Sequence, residues 1–445
     1  MDDQRGGNQK WNSVGVQLVF LVTVMASLRL VLGGAPGAEP VSVSEIKSAV
    51  ISVQAMDRSV KFYTDVLGFE KVVDVDLSGP KIEKLWELKP GTRARMVLLR
   101  RDGVNAGMIR LVQFTPGSSR FIRQGAKSWD VGIFDLDFIV DDINRRYEEL
   151  KAQGYQFPAS PGEVKTTGQT MFALFRGPDR VTMVLLRTST GPFKPGEKLP
   201  KYSEAVTSLQ VVADVEKALM FYRDILGLKV RADYMASDKQ LDAMLGLPSG
   251  SRLRGIVLTG GESLTGKVEL IHYPDLKGRE VGDAKPPNIG LFMLSFAVDD
   301  VDRLFEAFRK NNVSVICPPT EMEFAPYGKT KVMTARSPNG VMLEFVQAEM
   351  GRLDDQTSQA GPSGNVERGK TIFQAQCSLC HKVTEERSVG PGLKGVLQQP
   401  TFSSTGEAAT EENLKKLILQ GTPGMPKIPL AEEEVRDLLA YLKTL

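Results

Sequence analysis

The sequence predicts a multidomain protein in which two α+β domains, duplicates of one another, precede a small all-α domain. Three observations carry this expectation. Two long stretches of the chain repeat each other, each stretch alternates short strand-like runs with amphipathic helices, and a CxxCH motif near the C-terminus is followed by two helix-like segments. At 445 residues the chain exceeds what one hydrophobic core serves, so two to four domains are expected. Composition is that of a folded soluble protein, with 42% hydrophobic and 25% charged residues. A formal net charge of +2 offers no electrostatic case for nucleic acid. Three cysteines and two histidines limit the metal chemistry available.

Residues 1–40 are the least globular part. The stretch 14–28 is apolar apart from Gln17, Thr23 and Ser27, and it follows Arg5 and Lys10. Its length suits the apolar core of a secretory signal, since a full membrane span needs about 20 apolar residues. If Arg29 snorkels to the interface, residues 14–32 serve instead as a tilted anchor. A buried core helix is the plainer alternative. The segment is read as a signal peptide or membrane anchor, and the protein as exported to the periplasm, either soluble or held at the inner membrane.

The repeat comes next. SVKFYTDVLGF (59–69) returns as ALMFYRDILGL (218–228), and FDLDFIVDDINRRYEEL (134–150) returns as FMLSFAVDDVDRLFEAF (292–308). Two domains, 46–190 and 202–348, are expected, separated by the Pro/Gly/Lys stretch 191–201. Within each, a smaller unit also recurs. Residues 49–53 read as strand, 57–67 as helix with Val60, Tyr63, Val66 and Leu67 on one side, and 94–100 and 107–114 as strands. The same order returns as strand 134–140, helix 141–153 and strands 170–176 and 181–187. A βαβββ unit occurring four times is the expectation.

This pattern resembles the vicinal oxygen chelate superfamily of glyoxalases, extradiol dioxygenases and bleomycin-resistance proteins. The residues that carry the resemblance are the strand followed by RSVKFYTDVLGF and by KALMFYRDILGL, the IVDD and AVDD turns, and APYGKTKVMTARSPNGVMLEFV (325–346). It covers about 46–348 and implies a fold rather than a substrate. Superfamily enzymes typically hold a divalent metal with His and Glu on the strands of paired units. The corresponding positions here are Ser48, Arg110, Asp135 and Val184 in the first domain, and Thr207, Glu269, Met293 and Glu344 in the second. None is histidine, so a second metal is not expected. Glu269 and Glu344 could still hold a hard cation weakly. His272, three residues from Glu269, falls on the opposite strand face and reads as a surface or packing residue. Arg110 is expected either to pair with Asp135 or to hold an anionic ligand. Cys317 reads as a buried apolar thiol. Sites between paired units allow pairing within the chain or in a homodimer.

Residues 349–364 are polar and rich in Gly, Ser and Gln, a linker to the last domain, 365–445. There Cys377-Ser378-Leu379-Cys380-His381 is a haem c attachment motif: two thiols, two residues apart, add to the vinyl groups, and the next residue ligates the iron. Zinc would need about four Cys or His ligands, and Cys317 and His272 lie in another domain. A thioredoxin-like pair would want a βαβ context. Met425 is the one methionine after residue 365, set in GTPGMPKIP, and is the expected sixth ligand, although a lone Met can simply fill a core. Such His/Met ligation suits single-electron transfer. GPGL (390–393) resembles the class I cytochrome loop whose proline carbonyl holds the ligand histidine, which implies that role for Pro391. Thr410 caps a helix ending at Gly421, and Val435, Leu438, Leu439 and Leu442 form the apolar stripe of the last helix.

The expected function is electron transfer, with the duplicated domains as a binding or docking platform. The partner is a redox protein or a small-molecule electron donor. An alternative is a redox enzyme that oxidises a bound small molecule and passes electrons to haem, and a further one is a metal-dependent lyase or dioxygenase.

Overall fold

The computed structural model describes residues 41–101, 104–165, 169–188, 199–348, 366–422, 424–430 and 432–445. The leader read in 1–40 and the linker read in 349–364 lie outside the described residues.

Four βαβββ units follow one another. The first holds β1 (Val43–Ser52), β2 (Glu70–Leu77), β3 (Arg93–Arg100) and β4 (Met108–Thr115), and the second β5 (Gly132–Val140), β6 (Gly162–Lys165), β7 (Gln169–Arg176) and β8 (Thr182–Thr188). The third holds β9 (Tyr202–Val211), β10 (Lys229–Ala236), β11 (Leu253–Thr259) and β12 (Lys267–His272). The fourth holds β13 (Gly290–Val298), β14 (Ser314–Glu323), β15 (Lys329–Arg336) and β16 (Met342–Gln347). After its first strand each unit enters a helix, and three of the four helices are capped by an aspartate. Asp142 accepts from the N–H of Arg145, Asp300 from that of Arg303, and Asp214 from those of Glu216 and Lys217. The second aspartate of each VDD turn is thus the N-cap. The FYTDV and MFYRDI segments continue their helices as π turns rather than regular α-helix.

The units pair across the repeats. One eight-stranded sheet runs β14-β15-β16-β13-β1-β4-β3-β2, joining the first unit to the fourth, and the other runs β10-β11-β12-β9-β5-β8-β7-β6, joining the second to the third. The junctions are antiparallel, β1 on β13 and β5 on β9. A closed ring of backbone bonds locks the sheets together. Ile46 N–H donates to Gly266, Gly266 to Ala205, Ala205 to Gly107 and Gly107 to Ile46, at 2.7–3.0 Å. Gly107 and Gly266 sit at φ of +71° and +75°, and a Cβ there would meet the Ala205 or Ile46 carbonyl at 2.2 or 2.4 Å. Only glycine closes this ring.

A large core draws on all four units, including Phe62, Phe138, Phe221 and Phe345. The first sheet has a second core of its own around Trp86, Phe114, Phe292, Phe324 and Cys317. The second sheet has only a small cluster there, around Val211, Leu253 and Tyr273. This asymmetry creates the site described below.

The C-terminal region consists of helices Val366–Gln376, Glu411–Gln420 and Glu432–Leu442. The first crosses the last at Gly369, where a Cβ would meet the Asp437 carbonyl at 1.9 Å. Phe373 and Tyr441 pack beside the crossing with ring centroids 5.5 Å apart. Val435, Leu438, Leu439 and Leu442 all face the core. Among the described residues, no helix is long and apolar enough to cross a membrane.

Candidate functional site

Two regions bring functional side chains together. In the C-terminal region the helix Val366–Gln376 delivers Cys377, whose N–H closes onto Phe373, and the His381 N–H donates back to the Cys377 carbonyl at 2.9 Å. This turn sets Cys377 and His381 on one apolar cleft, lined also by Pro391, Leu414, Met425 and Leu438. The Pro391 carbonyl lies 2.9 Å from Nδ1 of His381. A carbonyl can only accept, so Nδ1 carries the proton and the lone pair of Nε2 is free to ligate. Gly390 lies flat on the imidazole, where a Cβ would meet Cε1 at 2.3 Å. Thr410 caps its helix through the Asn413 N–H, and Gly421 ends it at φ of 75°. Thiol, imidazole and thioether on one apolar cleft fit a covalently held haem. Pro423 lies outside the described residues.

In the strand-rich region the paired sheets place the eight positions in two groups that sequence order does not suggest. Arg110 and Glu344 meet on the first sheet, both buried, at 2.5 Å. Glu344 is fully occupied: it also accepts from Ser295 Oγ at 2.8 Å and from Trp86 Nε1 at 3.1 Å. The expected pairing of Arg110 with Asp135 is therefore wrong, and Glu269 and Glu344 do not share a site. The reason is that β4 and β5 enter different sheets, so Arg110 faces the fourth unit while Asp135 faces the third. Glu344 pairs with the Arg110 charge through Nη2, while Arg110 Nε is buried without a hydrogen-bond partner. With Trp86 and Phe324 beside it, this face is closed.

The second sheet keeps a cavity of about 250 Å³, lined by Asp135, Asp137, Glu269, Tyr234 and Tyr273 among aliphatic side chains. Asp137 accepts from Thr207 at 2.5 Å and Glu269 from the Tyr234 hydroxyl at 2.5 Å. Burial, then repulsion from Asp137 and Glu269, holds the Asp135 carboxyl well above the usual carboxylate range. Burial and the Glu269 charge push Asp137 up to about 8. Burial also raises Glu269. Tyr234 reaches Glu269 because it stands opposite Gly255, where a Cβ would meet the ring at 2.3 Å. The equivalent cross-strand pair of the first sheet is Val75 with Met96. A neighbouring cavity of about 260 Å³ is lined by Arg123, Arg176 and Arg180.

Asp137, Thr207 and the two tyrosines thus complete a group of which sequence reasoning named Asp135 and Glu269 as pocket candidates. Asp137 carried a usable signal, since residues two apart on a strand share a face. The tyrosines carried none before the register was known. His272 lies on the other face of β12, with Nδ1 at 3.1 Å from the Val212 carbonyl. Cys317 is buried among apolar side chains.

Four βαβββ units closed into two curled sheets match known proteins directly. The Glyoxalase/Bleomycin resistance protein/Dioxygenase superfamily matches over residues 45–185 and again over 205–345. The chain belongs to this superfamily. Its glyoxalase-like domains are 22% identical over 305 residues to a protein of Arabidopsis thaliana named "Probable lactoylglutathione lyase, chloroplastic", covering 67% of this chain and 71% of that one. A variant of glyoxalase I from Zea mays shares the fold with a TM-score of 0.50 at 17% identity, over 71% of this chain and 94% of that one. Residues 364–442 match the family described as "Cytochrome C oxidase, cbb3-type, subunit III". The same region is 37% identical over 82 residues to a "Cytochrome c-553-like" protein of Synechocystis, 18% of this chain and 70% of that one. The C-terminal domain is therefore a cytochrome c domain, which implies covalent haem c.

The divalent ion of superfamily enzymes does not fit the residues present. No histidine reaches the cavity, and among the described residues no three His, Cys, Asp or Glu side chains converge to hold one ion. The raised carboxyls have a measurable consequence. Asp137 binds its proton more tightly when folded (about 8) than at its ordinary 3.8, so its contribution to stability is full below 3.8 and is lost progressively as pH rises from there to about 8. The melting midpoint of the native chain should fall across that window, and Asp137→Asn should flatten the fall. Equal slopes for both proteins would contradict the assignment.

Proposed function

We propose that this protein carries single electrons through a haem held at Cys377 and Cys380 and ligated by His381 and Met425, with its glyoxalase-like module binding a small molecule. The observation that carries the reading is the shared apolar cleft of Cys377, His381 and Met425, with the His381 proton pinned on Nδ1 by Pro391. A haem bound there supplies an iron that changes oxidation state by one electron. Cys377 and Cys380 fix its position, Pro391 holds the imidazole orientation, and Leu414 and Leu438 exclude water. His381 and Met425 would both ligate the iron, a donor pair that favours electron transfer over reaction at iron. The redox partner is a protein or a small-molecule donor. Export to the periplasm accords with the apolar stretch 14–28 and with haem attachment.

The test is elemental and haem analysis of protein matured in an export-competent host. One iron per chain and pigment that resists acid-acetone are expected, without stoichiometric Zn, Mn or Ni. A colourless protein, or a second bound metal, would sink the reading. A second reading, in which the bound molecule is also oxidised, is favoured by the apolar cavity of the glyoxalase-like module lying in the same chain as a cytochrome c domain. Its two electrons would then leave one at a time, with the redox partner taking the first from the single haem before the second arrives. Screening the oxidised holoprotein for small molecules that reduce its haem separates the two.

A further inference from the structure

The carboxylates of the second sheet ask for an occupant. Asp135 and Asp137 are 2% and 5% exposed, yet both line the cavity. Asp135 Oδ1 is buried without any hydrogen-bond partner. A carboxylate oxygen so placed wants a donor, a cation or a proton, because burial has removed its water. Thr207, outside the cavity lining, donates to Asp137, and Tyr234 of the cavity wall donates to Glu269. The three carboxylates lie close enough to repel one another, but not close enough to converge on one atomic ion. A polyatomic cation spans such a gap. An ammonium has three donors to distribute, and the faces of tyrosines attract it further. The remaining wall, including Leu209, Leu245 and Val257, is apolar and suits a hydrocarbon body.

We propose that this cavity binds a small organic cation, a primary ammonium on an aryl or alkyl body, with the ammonium among Asp135, Asp137 and Glu269. The inference rests on the reading that the glyoxalase-like module binds a small molecule, and names its class. The closed first sheet is the internal contrast: there an arginine occupies the position of Glu269 and pairs directly with Glu344, whereas Arg123, the cation near Asp135, gives its hydrogen bonds to the carbonyls of Lys127, Asp130 and Ile133. Asp137, pushed up to about 8, holds its proton near neutrality, so an ammonium seated beside it displaces that proton.

The experiment is calorimetric titration of the full, haem-loaded chain near neutral pH with phenethylamine, phenethyl alcohol and phenylacetate, each in two buffers of different ionisation enthalpy. The amine should saturate one site and release about one proton, and the alcohol should bind at least about tenfold more weakly. Asp137→Asn, checked for an intact melting transition, should weaken the amine by about tenfold or more. Amine binding without proton release, or undiminished in that variant, overturns the proposal. So does a stoichiometric Mn²⁺ site that the amine cannot displace. Binding of the alcohol or the acid in preference to the amine would sink the cation but leave the small-molecule reading. Silence from all three probes would sink both.

Discussion

Glu344→Ala is expected to destabilise the native protein by about 3–5 kcal/mol, the cost of leaving a buried charge without its partner. Arg110 is 3% exposed and Glu344 is fully buried, so water cannot enter to replace the lost carboxylate. The same change strips acceptors from Trp86 and Ser295, two further buried donors. Replacing both charges, Arg110→Met with Glu344→Leu, should cost much less, because an apolar pair of similar volume removes the desolvation penalty along with the attraction. Chemical denaturation followed by tryptophan fluorescence measures both. A loss below about 1 kcal/mol for Glu344→Ala, or a double variant worse than the single, would show that the pair does not hold the two repeats together.

Met425→Ala should lower the haem potential, on the order of 0.1 V within the roughly 0.8 V that axial ligands command, and open the iron to external ligands. Loss of the thioether removes the ligand that favours the reduced iron, while His381 and the two cysteines keep the group in place. Spectroelectrochemistry and azide titration of the oxidised protein read the two effects. Unchanged potential together with an unchanged spectrum would remove Met425 from the coordination shell and return it to a packing role beside Ile418 and Leu417.

Much of the fold could be read from local pattern. The repeated FY-D-LG segments and the VDD turns marked the four units, since a cap and an apolar helix face are properties of a few adjacent residues. The CxxCH spacing, the lone downstream methionine and the GPG loop likewise placed their candidates within a short stretch of chain, and the cleft brings His381, Pro391 and Met425 together. The aspartate caps and the apolar stripe of the last helix follow the same short-range logic. The cavity was only partly legible. Asp135 and Glu269 were marked by their match to the ligand positions of the superfamily, whereas Tyr234 became visible only once Gly255 was known to lie across from it.

What the sequence determined by itself was the local layer: four like units, their caps and turns, and a haem motif with its neighbouring loop. Which unit meets which was decided by tertiary structure. Strands from non-consecutive parts of the chain, β1 with β13 and β5 with β9, pair so as to bury both sheets, and two glycines let their backbones close into a ring. That choice turned Arg110 toward Glu344 and left Asp135 with Asp137 and Glu269, closing one face and opening the other. Spacing along the chain encodes contacts within a helix turn or a strand, but a partner on a distant strand is set only by which surfaces must leave water together.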